Sequence, residues 1–218
     1  MVLFEVKDLA VKRDKGTAIF SNVNFDLNPG DVVVLQGKSG AGKSTLLKAL
    51  ANLNIFDGRI LLRGRLGLSP GLGFHVGVPA YRTRVQYVPQ RPSMLPGTPR
   101  DFVNTISSFG KAWGIEKELW DRSWTELSGG ESQRIVLAVA VGLDAAEVLL
   151  LDEPTSALDA ASCAAVETYL LDEVRSAESR LQALIWVTHS EEQGVRVGTR
   201  FIHITPDGVR EESPLSQP

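Results

Sequence analysis

The sequence lacks the features that mark several common classes of protein. It contains a single cysteine, Cys163, which excludes an internal disulfide and a cysteine metal cluster, as suits a reducing compartment. No apolar run approaches the roughly 20 residues that cross a bilayer. No long run of lysine or arginine occurs and the net charge is −3, so nucleic acid is not an expected partner. We therefore expect a cytoplasmic protein, and any role at a membrane requires a separate membrane protein.

The composition fits one α/β domain. The 218 residues, 43% of them hydrophobic, can build such a domain with a modest insertion. Apolar segments at 3–6, 23–27 and 32–35 are separated by turn residues, which predicts an antiparallel β start. Residues 1–8 alternate apolar and charged side chains without the apolar core of a signal peptide, and we expect a strand there.

A glycine-rich stretch lies between the apolar run 32–35 and a predicted helix over about 42–53. Glycines let successive backbone N–H groups point inward, and the helix adds the positive end of its dipole. This pattern predicts a polyphosphate site, in which Lys43 reaches the β- and γ-phosphates and the Ser44 hydroxyl binds Mg²⁺. A glycine-rich turn that matches by chance is the alternative, although strand, loop and helix all agree. The predicted loop comprises Gly37, Lys38, Ser39, Gly40, Ala41, Gly42, Lys43, Ser44 and Thr45.

Two acids and a histidine follow two further apolar runs. Asp152 and Glu153 come directly after the run 148–151, and His189 follows the run 184–187. Because ligands of open α/β sheets bind where parallel strands end, we expect these side chains beside the phosphate loop. Asp152 would hold Mg²⁺ through water, Glu153 would orient or deprotonate the attacking water, and His189 would contact the γ-phosphate. Two adjacent acids that only cap the next helix are the alternative.

Two stretches have the composition of loops or short helices. Residues 64–80 contain five glycines and two prolines, and we expect a surface loop that serves as a spacer; a regulatory or partner-contacting loop is the less favoured alternative. Residues 91–124 predict a small helical insertion, with helices at 101–109 and around 116–120. A further helix is expected to open at residues 128–130, and its packed face comprises Ile135, Leu137, Ala138 and Val141.

The segment Leu-Ser-Gly-Gly-Glu at 127–131, followed by Gln133 and Arg134, resembles the signature motif of the ATP-binding cassette (ABC) ATPases. The other motifs of that family are also present, and all stand in the family's order along the chain. They are the phosphate loop, Gln90, the run 149–154, the run 156–159 and His189. The resemblance extends from residue 3 to about residue 204. It implies an α/β fold with a P-loop NTPase (RecA-like) core, an antiparallel β subdomain and a small α-helical insertion.

The family divides such a chain into parts. The resemblance implies a single ABC ATPase domain over 1–218, with a nucleotide-binding core at 1–90 and 147–212, a helical subdomain at 91–146 and a flexible tail at 213–218.

The family also implies an ATP-dependent homodimer. Two copies pair head to tail around two ATP molecules, and Ser128, Gly129 and Gly130 of one copy bind the γ-phosphate held by the other. Gln90 would sense Mg²⁺ and the water, and Asp159 would link the two sites. The predicted catalytic residues are Lys43, Gln90, Glu153 and His189, and the predicted Mg²⁺ residues are Ser44, Gln90 and Asp152.

Two positions depart from the family pattern. The family has an aromatic residue shortly after the first strand, where it stacks on adenine, but this chain reads Val-Lys-Arg-Asp over 11–14. The Arg13 guanidinium would stack on the base instead, which predicts weak selectivity for the nucleobase. Glu131 lies where glutamine is commonest, yet Ser128 and its two glycines are intact, so we still expect ATPase activity.

Most ABC ATPases power transporters, and in that family the membrane subunit docks on the segment that here lies between Gln90 and Ser128. Residues 94–98, Met-Leu-Pro-Gly-Thr, resemble a stretch of exporter-type members, which favours export. The chain looks most similar to stand-alone ATP-binding subunits linked to iron export and aluminium tolerance. We predict a peripheral subunit on the cytoplasmic face of a membrane that drives a separate transmembrane permease, with a metal or small solute as cargo.

Two rival functions fit the sequence less well than the transporter does. A soluble ABC ATPase that acts on ribosomes or DNA usually has two cassettes or a long coiled coil, and this chain has one cassette and no heptad region. A P-loop kinase or GTPase leaves the signature motif unexplained.

Overall fold

The computed structural model describes residues 2–13, 16–64, 66–68, 77–91, 96–102 and 113–212. In these ranges the strands are β1 (Phe4–Lys12), β2 (Ala18–Leu27), β3 (Val32–Gln36), β4 (Asp57–Leu62), β5 (Leu66–Leu68), β6 (Val85–Val88), β7 (Val148–Asp152), β8 (Ala183–Val187), β9 (Arg200–Thr205) and β10 (Gly208–Glu212). The α-helices are α1 (Lys43–Leu50), α2 (Val78–Arg84), α3 (Gly129–Gly142), α4 (Ala160–Arg175) and α5 (Glu191–Val197). Short 3₁₀ helices occupy Pro99–Phe102, Lys117–Asp121 and Trp124–Glu126.

The central sheet contains six strands in the order β10-β9-β3-β8-β7-β6. Its strands are parallel except β10, which pairs antiparallel with β9. Leu35 of β3 and Asp152 of β7 both pair with Val187 of β8, so these three strands end in one row. We call this border the carboxyl edge and the opposite border the amino edge. Parallel α/β sheets bind their ligands at the carboxyl edge.

A second sheet is antiparallel, with the order β2-β1-β4-β5. It contains the antiparallel strands predicted at the beginning of the chain. These strands are longer than the apolar segments from which they were predicted. The architecture is therefore a mixed α/β fold in which a mostly parallel core adjoins an antiparallel sheet, as predicted.

Alternate side chains of the central strands enter two separate hydrophobic clusters. Leu150 and Ile185 belong to the cluster that includes residues of β1, β4 and α1. Leu149 and Trp186 belong to the cluster formed with α3 and α4. Every residue of β7 and β8 is buried. Apolar layers on both faces of the sheet explain the unbroken apolar runs of these two strands.

The prediction of a surface loop over 64–80 is wrong in part. Leu66–Leu68 forms β5 at the border of the antiparallel sheet, where Gly67 pairs with Leu61 through its backbone and needs no side chain. Helix α2 begins at Val78 with Pro79 in its first turn, where the missing N–H of proline has no helical acceptor. Residue 65 and residues 69–76 lie outside the described part of the chain.

The predicted insertion lies only partly within the described ranges. The helix predicted around 116–120 is the 3₁₀ helix Lys117–Asp121. The helix predicted at 101–109 overlaps the described residues only at the end of Pro99–Phe102. Residues 103–112 and the predicted tail at 213–218 lie outside the described ranges, and the division into subdomains stays a prediction.

Helices α1 and α3 begin close to the predicted positions. The first ends at Leu50, earlier than expected, and Asn52 beyond it has a left-handed φ of +56° that no longer fits a helix. Helix α3 follows Ser128 directly. Of its predicted packed face, Val141 is half-buried, while the buried members are Ile135, Leu137 and Ala138.

Candidate active site

The predicted phosphate loop connects β3 to α1 at the carboxyl edge. Its glycines at 37, 40 and 42 have φ values of +149°, +78° and +99°. A Cβ atom at Gly42 would lie 2.9 Å from Ile19 Cγ2 and 3.1 Å from Phe20 Cδ1. Backbone conformation and space therefore both require glycine at this position, directly before the first turn of α1. The turn brings the positive end of that helix to the carboxyl edge.

Lys43 lies within this loop with 8% of its surface exposed. Its ammonium Nζ donates to the carbonyl oxygens of Gly37 at 2.7 Å and Lys38 at 3.2 Å. No carboxylate in the described ranges pairs with it. A buried ammonium that only carbonyl dipoles compensate favours an anionic ligand.

Ser44 and Asp152 meet across the carboxyl edge. The Ser44 hydroxyl lies 3.1 Å from Asp152 Oδ1, and the Tyr87 hydroxyl donates to Asp152 Oδ2 at 2.8 Å. Burial, together with the bond to Asp152, raises the pKa of Tyr87 well above its usual range, so its hydroxyl stays a donor. A hydroxyl and a carboxylate are the hard oxygen donors that Mg²⁺ prefers, so this pair fits the predicted ion.

Glu153 has two polar partners that come from other strands. Its Oε2 accepts from Gln90 Nε2 at 2.8 Å, and its Oε1 lies 2.8 Å from His189 Nε2. The three residues follow β7, β6 and β8, respectively, so the parallel register brings them together. Glu153 also has a φ of +50°, a left-handed conformation that non-glycine residues rarely adopt.

The signature-motif residues begin α3. Ser128 is the N-cap, and its Oγ accepts the N–H of Glu131 at 3.3 Å. The Glu131 carboxylate accepts the N–H of Ser128 at 2.7 Å, which completes a capping box. This hydrogen bond from the backbone holds the pKa of Glu131 below its usual range. Glutamate therefore has a structural role where the family more often has glutamine.

Other predicted residues lie apart from the cluster around Glu153. Asp159 is the N-cap of α4, where it accepts from the N–H and the hydroxyl of Ser162 at 2.9 and 2.8 Å. Arg13 follows β1 with an exposed side chain, and its N–H donates to the carbonyl of Thr17 at 2.8 Å. Within the described chain, no hydrogen bond or ion pair joins Ser128, Asp159 or Arg13 to Glu153.

Sequence reasoning missed two polar residues of the site. Tyr87 belongs to no recognised motif, although the motif residue Gln90 lies three positions further on. Gln133 was noted only as part of the signature motif, yet its side chain is fully buried among the site loops. The signal that could have indicated its burial is the position of this glutamine in the helix, next to the residues predicted to pack.

The comparison with known proteins identifies the chain's relatives. No helix among the residues described here is long and apolar enough to cross a membrane. The family model described as ABC transporter matches residues 20–156, which is more than half of the chain. The chain belongs to this family. The chain is therefore an ABC ATPase, which binds ATP with Mg²⁺ and hydrolyses it.

Several named relatives of this ABC ATPase are import subunits. The zinc import ATP-binding protein ZnuC of Paracoccus denitrificans is 35% identical over 93% of this chain and 77% of its own length. The aliphatic sulfonates import ATP-binding protein SsuB of Bacillus subtilis is 34% identical over 92% of this chain and 78% of its own length. The phosphate import ATP-binding protein PstB 2 of Aliivibrio fischeri is 32% identical over 91% of this chain and 79% of its own length. The finer resemblance to iron-export and aluminium-tolerance subunits stays a prediction.

Solved structures share the fold of this ABC ATPase. An ATP-binding cassette in a dimeric post-hydrolysis state, bound to ADP and Pi, superimposes with a TM-score of 0.79 at 22% identity, over 99% of this chain and 100% of that chain. A bacterial Atm1-family ABC exporter with ATP bound gives a TM-score of 0.80 at 22% identity, over 98% of this chain and 39% of that chain. The P-loop NTPase fold predicted from the sequence is therefore confirmed.

Proposed function

We propose that this ABC ATPase is the ATP-hydrolysing subunit of a transporter. In this proposal it forms a homodimer around two Mg-ATP molecules on the cytoplasmic face of a membrane and drives a separate transmembrane permease. The observation that best supports ATP hydrolysis is the contact of Glu153 with Gln90 and His189. These residues lie at the carboxyl edge, where the phosphate loop also lies.

The phosphate loop would bind the triphosphate. Lys43 is buried, positively charged and paired only with loop carbonyls among the residues described, so its ammonium can exchange these partners for β- and γ-phosphate oxygens. Ser44 and Asp152 would hold Mg²⁺, Asp152 through water, and Gln90 would contact the ion and the water. When bound, Mg²⁺ would neutralise part of the negative charge of the phosphates.

Glu153 would act as the general base. Each of its carboxylate oxygens has a second lone pair beyond the contact with Gln90 or His189, so the group can still accept a proton from water. The two contacts fix the carboxylate in one orientation, which is the main requirement for a loose phosphoryl-transfer transition state. His189 would contact the γ-phosphate.

The signature motif would act on the partner's ATP. Ser128 and the N–H groups of Gly129 and Gly130 begin a helix of 14 residues, α3, which presents its positive end to an anion. Asp159, at the start of α4, would link the two ATP sites. The exposed Arg13 would stack on the nucleobase.

Import is the favoured direction of transport, because the relatives named above are import ATP-binding proteins. Export is the second candidate, and the resemblance of residues 94–98 to exporter-type members favours it. The cargo would be a metal or another small solute.

Affinity capture from gently solubilised membranes of the native host tests the proposal. The bait is the Glu153→Gln chain with ATP and Mg²⁺, and the control is the same bait with ATP omitted. Recovery of a multi-span membrane protein in the ATP sample supports the transporter subunit. Recovery of ribosomes or DNA-repair factors instead would overturn the transporter and leave only the ATPase chemistry.

A further inference from the structure

Gln133 is a buried amide that contacts two segments of the active site. It lies in α3 with 1% of its surface exposed. Its Nε2 lies 3.0 Å from the carbonyl oxygen of Glu153, 3.2 Å from that of Gln90 and 3.4 Å from Ser156 Oγ. Its Oε1 accepts the N–H of Ala157 at 3.0 Å. One side chain thus connects the signature-motif helix to the segments that hold the proposed base and its amide partner.

The orientation of this amide is fixed by its partners. Nε2 has two hydrogens, and the two nearest acceptors are the backbone carbonyls of Glu153 and Gln90. Reversing the amide would place Oε1 against these two carbonyls and Nε2 against the N–H of Ala157. The Gln90 carbonyl would lose this donor, and the Glu153 carbonyl would keep only the N–H of Ser156. The Ala157 N–H would lose its acceptor.

The backbone of Glu153 depends on such restraints. Its φ of +50° is unfavourable for a glutamate and persists where surrounding contacts determine it. The Glu153 N–H donates to the carbonyl of Val187 at 3.0 Å, and its carbonyl accepts the N–H of Ser156 at 3.2 Å. Gln133 binds the same carbonyl, so it helps to set the peptide that aims the Glu153 carboxylate.

A second contact of α3 reaches the same loop. Gly130 packs so closely on the loop after Glu153 that a Cβ atom there would lie 2.8 Å from the carbonyl oxygen of Ala157. Gln133 contacts the N–H of the same residue from one turn further along the helix. Helix α3 and this loop are therefore joined by a close packing contact and a hydrogen bond at the same residue.

We propose that Gln133 is a positioning residue for ATP hydrolysis, which transmits the position of α3 to Glu153 and Gln90 of its own chain. The inference rests on the proposed function, in which the first residues of α3 bind the ATP held by the partner. A shift of α3 toward that ATP would pull on the carbonyls of Glu153 and Gln90 through the Gln133 amide. Each chain would thereby set its own hydrolytic residues when it engages the ATP of the other.

The test uses Gln133→Leu, which keeps the bulk of the side chain and removes its hydrogen bonds. We expect kcat for ATP hydrolysis to fall roughly 10- to 100-fold, because small displacements of reacting groups cost this much. KM for ATP should change less than about threefold, because the substitution leaves the phosphate loop intact. The matched control is Gln182→Leu at the amino edge, where the amide oxygen accepts from Arg63 Nη2 at 3.0 Å. It should lower the melting temperature and keep the parent kcat.

Gln133→Glu adds a readout that a purely structural role would not change. The ionised carboxylate would face two carbonyl oxygens, whereas the protonated acid can donate to one of them and still accept from Ala157. Burial favours the protonated acid. The activity of this variant relative to the parent should therefore rise as the pH falls from about 8 to about 6.

Two outcomes would overturn the inference. One is a Gln133→Leu chain with kcat within about twofold of the parent, and the other is an equal loss of kcat in Gln182→Leu. Because the assay needs no membrane partner, these outcomes leave the transporter proposal intact. Failure to capture a membrane protein would overturn that proposal alone.

Discussion

The two ends of β7 each carry a glutamate, and the surroundings of these two glutamates differ. Glu147 precedes the strand at the amino edge, and its side chain is 7% exposed. Its carboxylate contacts Arg63 Nε at 2.5 Å and Arg84 Nε at 2.6 Å. Two guanidinium groups thus neutralise this carboxylate and occupy both of its oxygens. Such an ion-paired group holds segments together.

Glu153 follows the same strand at the carboxyl edge, and its side chain is 17% exposed. Its partners are an amide and an imidazole, and within the described ranges no lysine or arginine pairs with it. A carboxylate that is oriented but not neutralised by a guanidinium can accept a hydrogen bond from water and act on that water as a general base. The comparison teaches that burial of an acid next to a strand does not define its role, whereas the charge of its partners does.

The substitution Glu153→Gln should have the largest effect, and this effect is on ATP hydrolysis. It distinguishes the carboxyl edge from the amino edge. We expect kcat to fall about 10²- to 10⁴-fold, the usual contribution of a general base. The melting temperature should stay close to that of the parent, because the amide can keep one contact with Gln90 or His189. Phosphate release under saturating ATP measures kcat. Turnover near the parent rate would mean that another group removes the proton.

Lys43→Ala is expected to act on binding at the same edge. Loss of the ammonium should weaken ATP binding roughly 10- to 100-fold, because charged hydrogen bonds to the phosphates are lost in the ground state as well as in the transition state. Titration calorimetry with ATP and Mg²⁺ measures the affinity. Lys48→Ala, at an exposed position of α1, is the matched control. Unchanged affinity in Lys43→Ala would contradict the assignment of the loop.

Glu147→Gln should act on stability alone. It leaves Arg63 and Arg84 without their shared carboxylate, but both arginine side chains are about 40% exposed, so water compensates part of the loss. We expect the free energy of unfolding to fall by about 1–3 kcal/mol. Urea unfolding measures it, and kcat of the variant should match the parent. A loss of activity comparable to that of Glu153→Gln would break the contrast between the two edges.

The smallest effect is expected for Glu131→Gln. Because the folded state lowers the pKa of Glu131, its stabilising contribution is complete above the usual glutamate pKa and is lost as the pH falls through the lowered value. The variant should therefore be less stable by about 0.3–1 kcal/mol at neutral pH. The difference should vanish in acid. Melting temperatures of the variant and the parent at several pH values measure the difference in stability. A difference that persists in acid would mean that it comes from packing and not from the charge of Glu131.

Much of the fold could be predicted because its signals are local. The apolar run 148–151 and the glycines before α1 each encode a buried strand or a turn within a few residues. Parallel pairing then places the polar ends of β6, β7 and β8 at one edge without further information. The end of α1 was less predictable because only the left-handed conformation of Asn52 marks it.

The polar connections of the site could not be predicted in this way. Helical periodicity treats Gln133 as an ordinary polar position, and only the packing of α3 against the loop after β7 buries its amide. The contact of Tyr87 with Asp152 likewise depends on the pairing of β6 with β7, which brings together residues 65 positions apart. Contacts between one protomer and its partner depend on a second chain and stay predictions.

The central claim is that the carboxyl edge binds ATP, hydrolyses it and closes between two chains. The most direct test is the mass of the Glu153→Gln chain in solution with ATP and Mg²⁺, measured by light scattering during size exclusion. We predict twice the 23.7 kDa of one chain. The same chain with Lys43→Ala added should stay at the mass of a monomer. A Glu153→Gln chain that binds ATP and remains monomeric at saturating nucleotide would contradict the account.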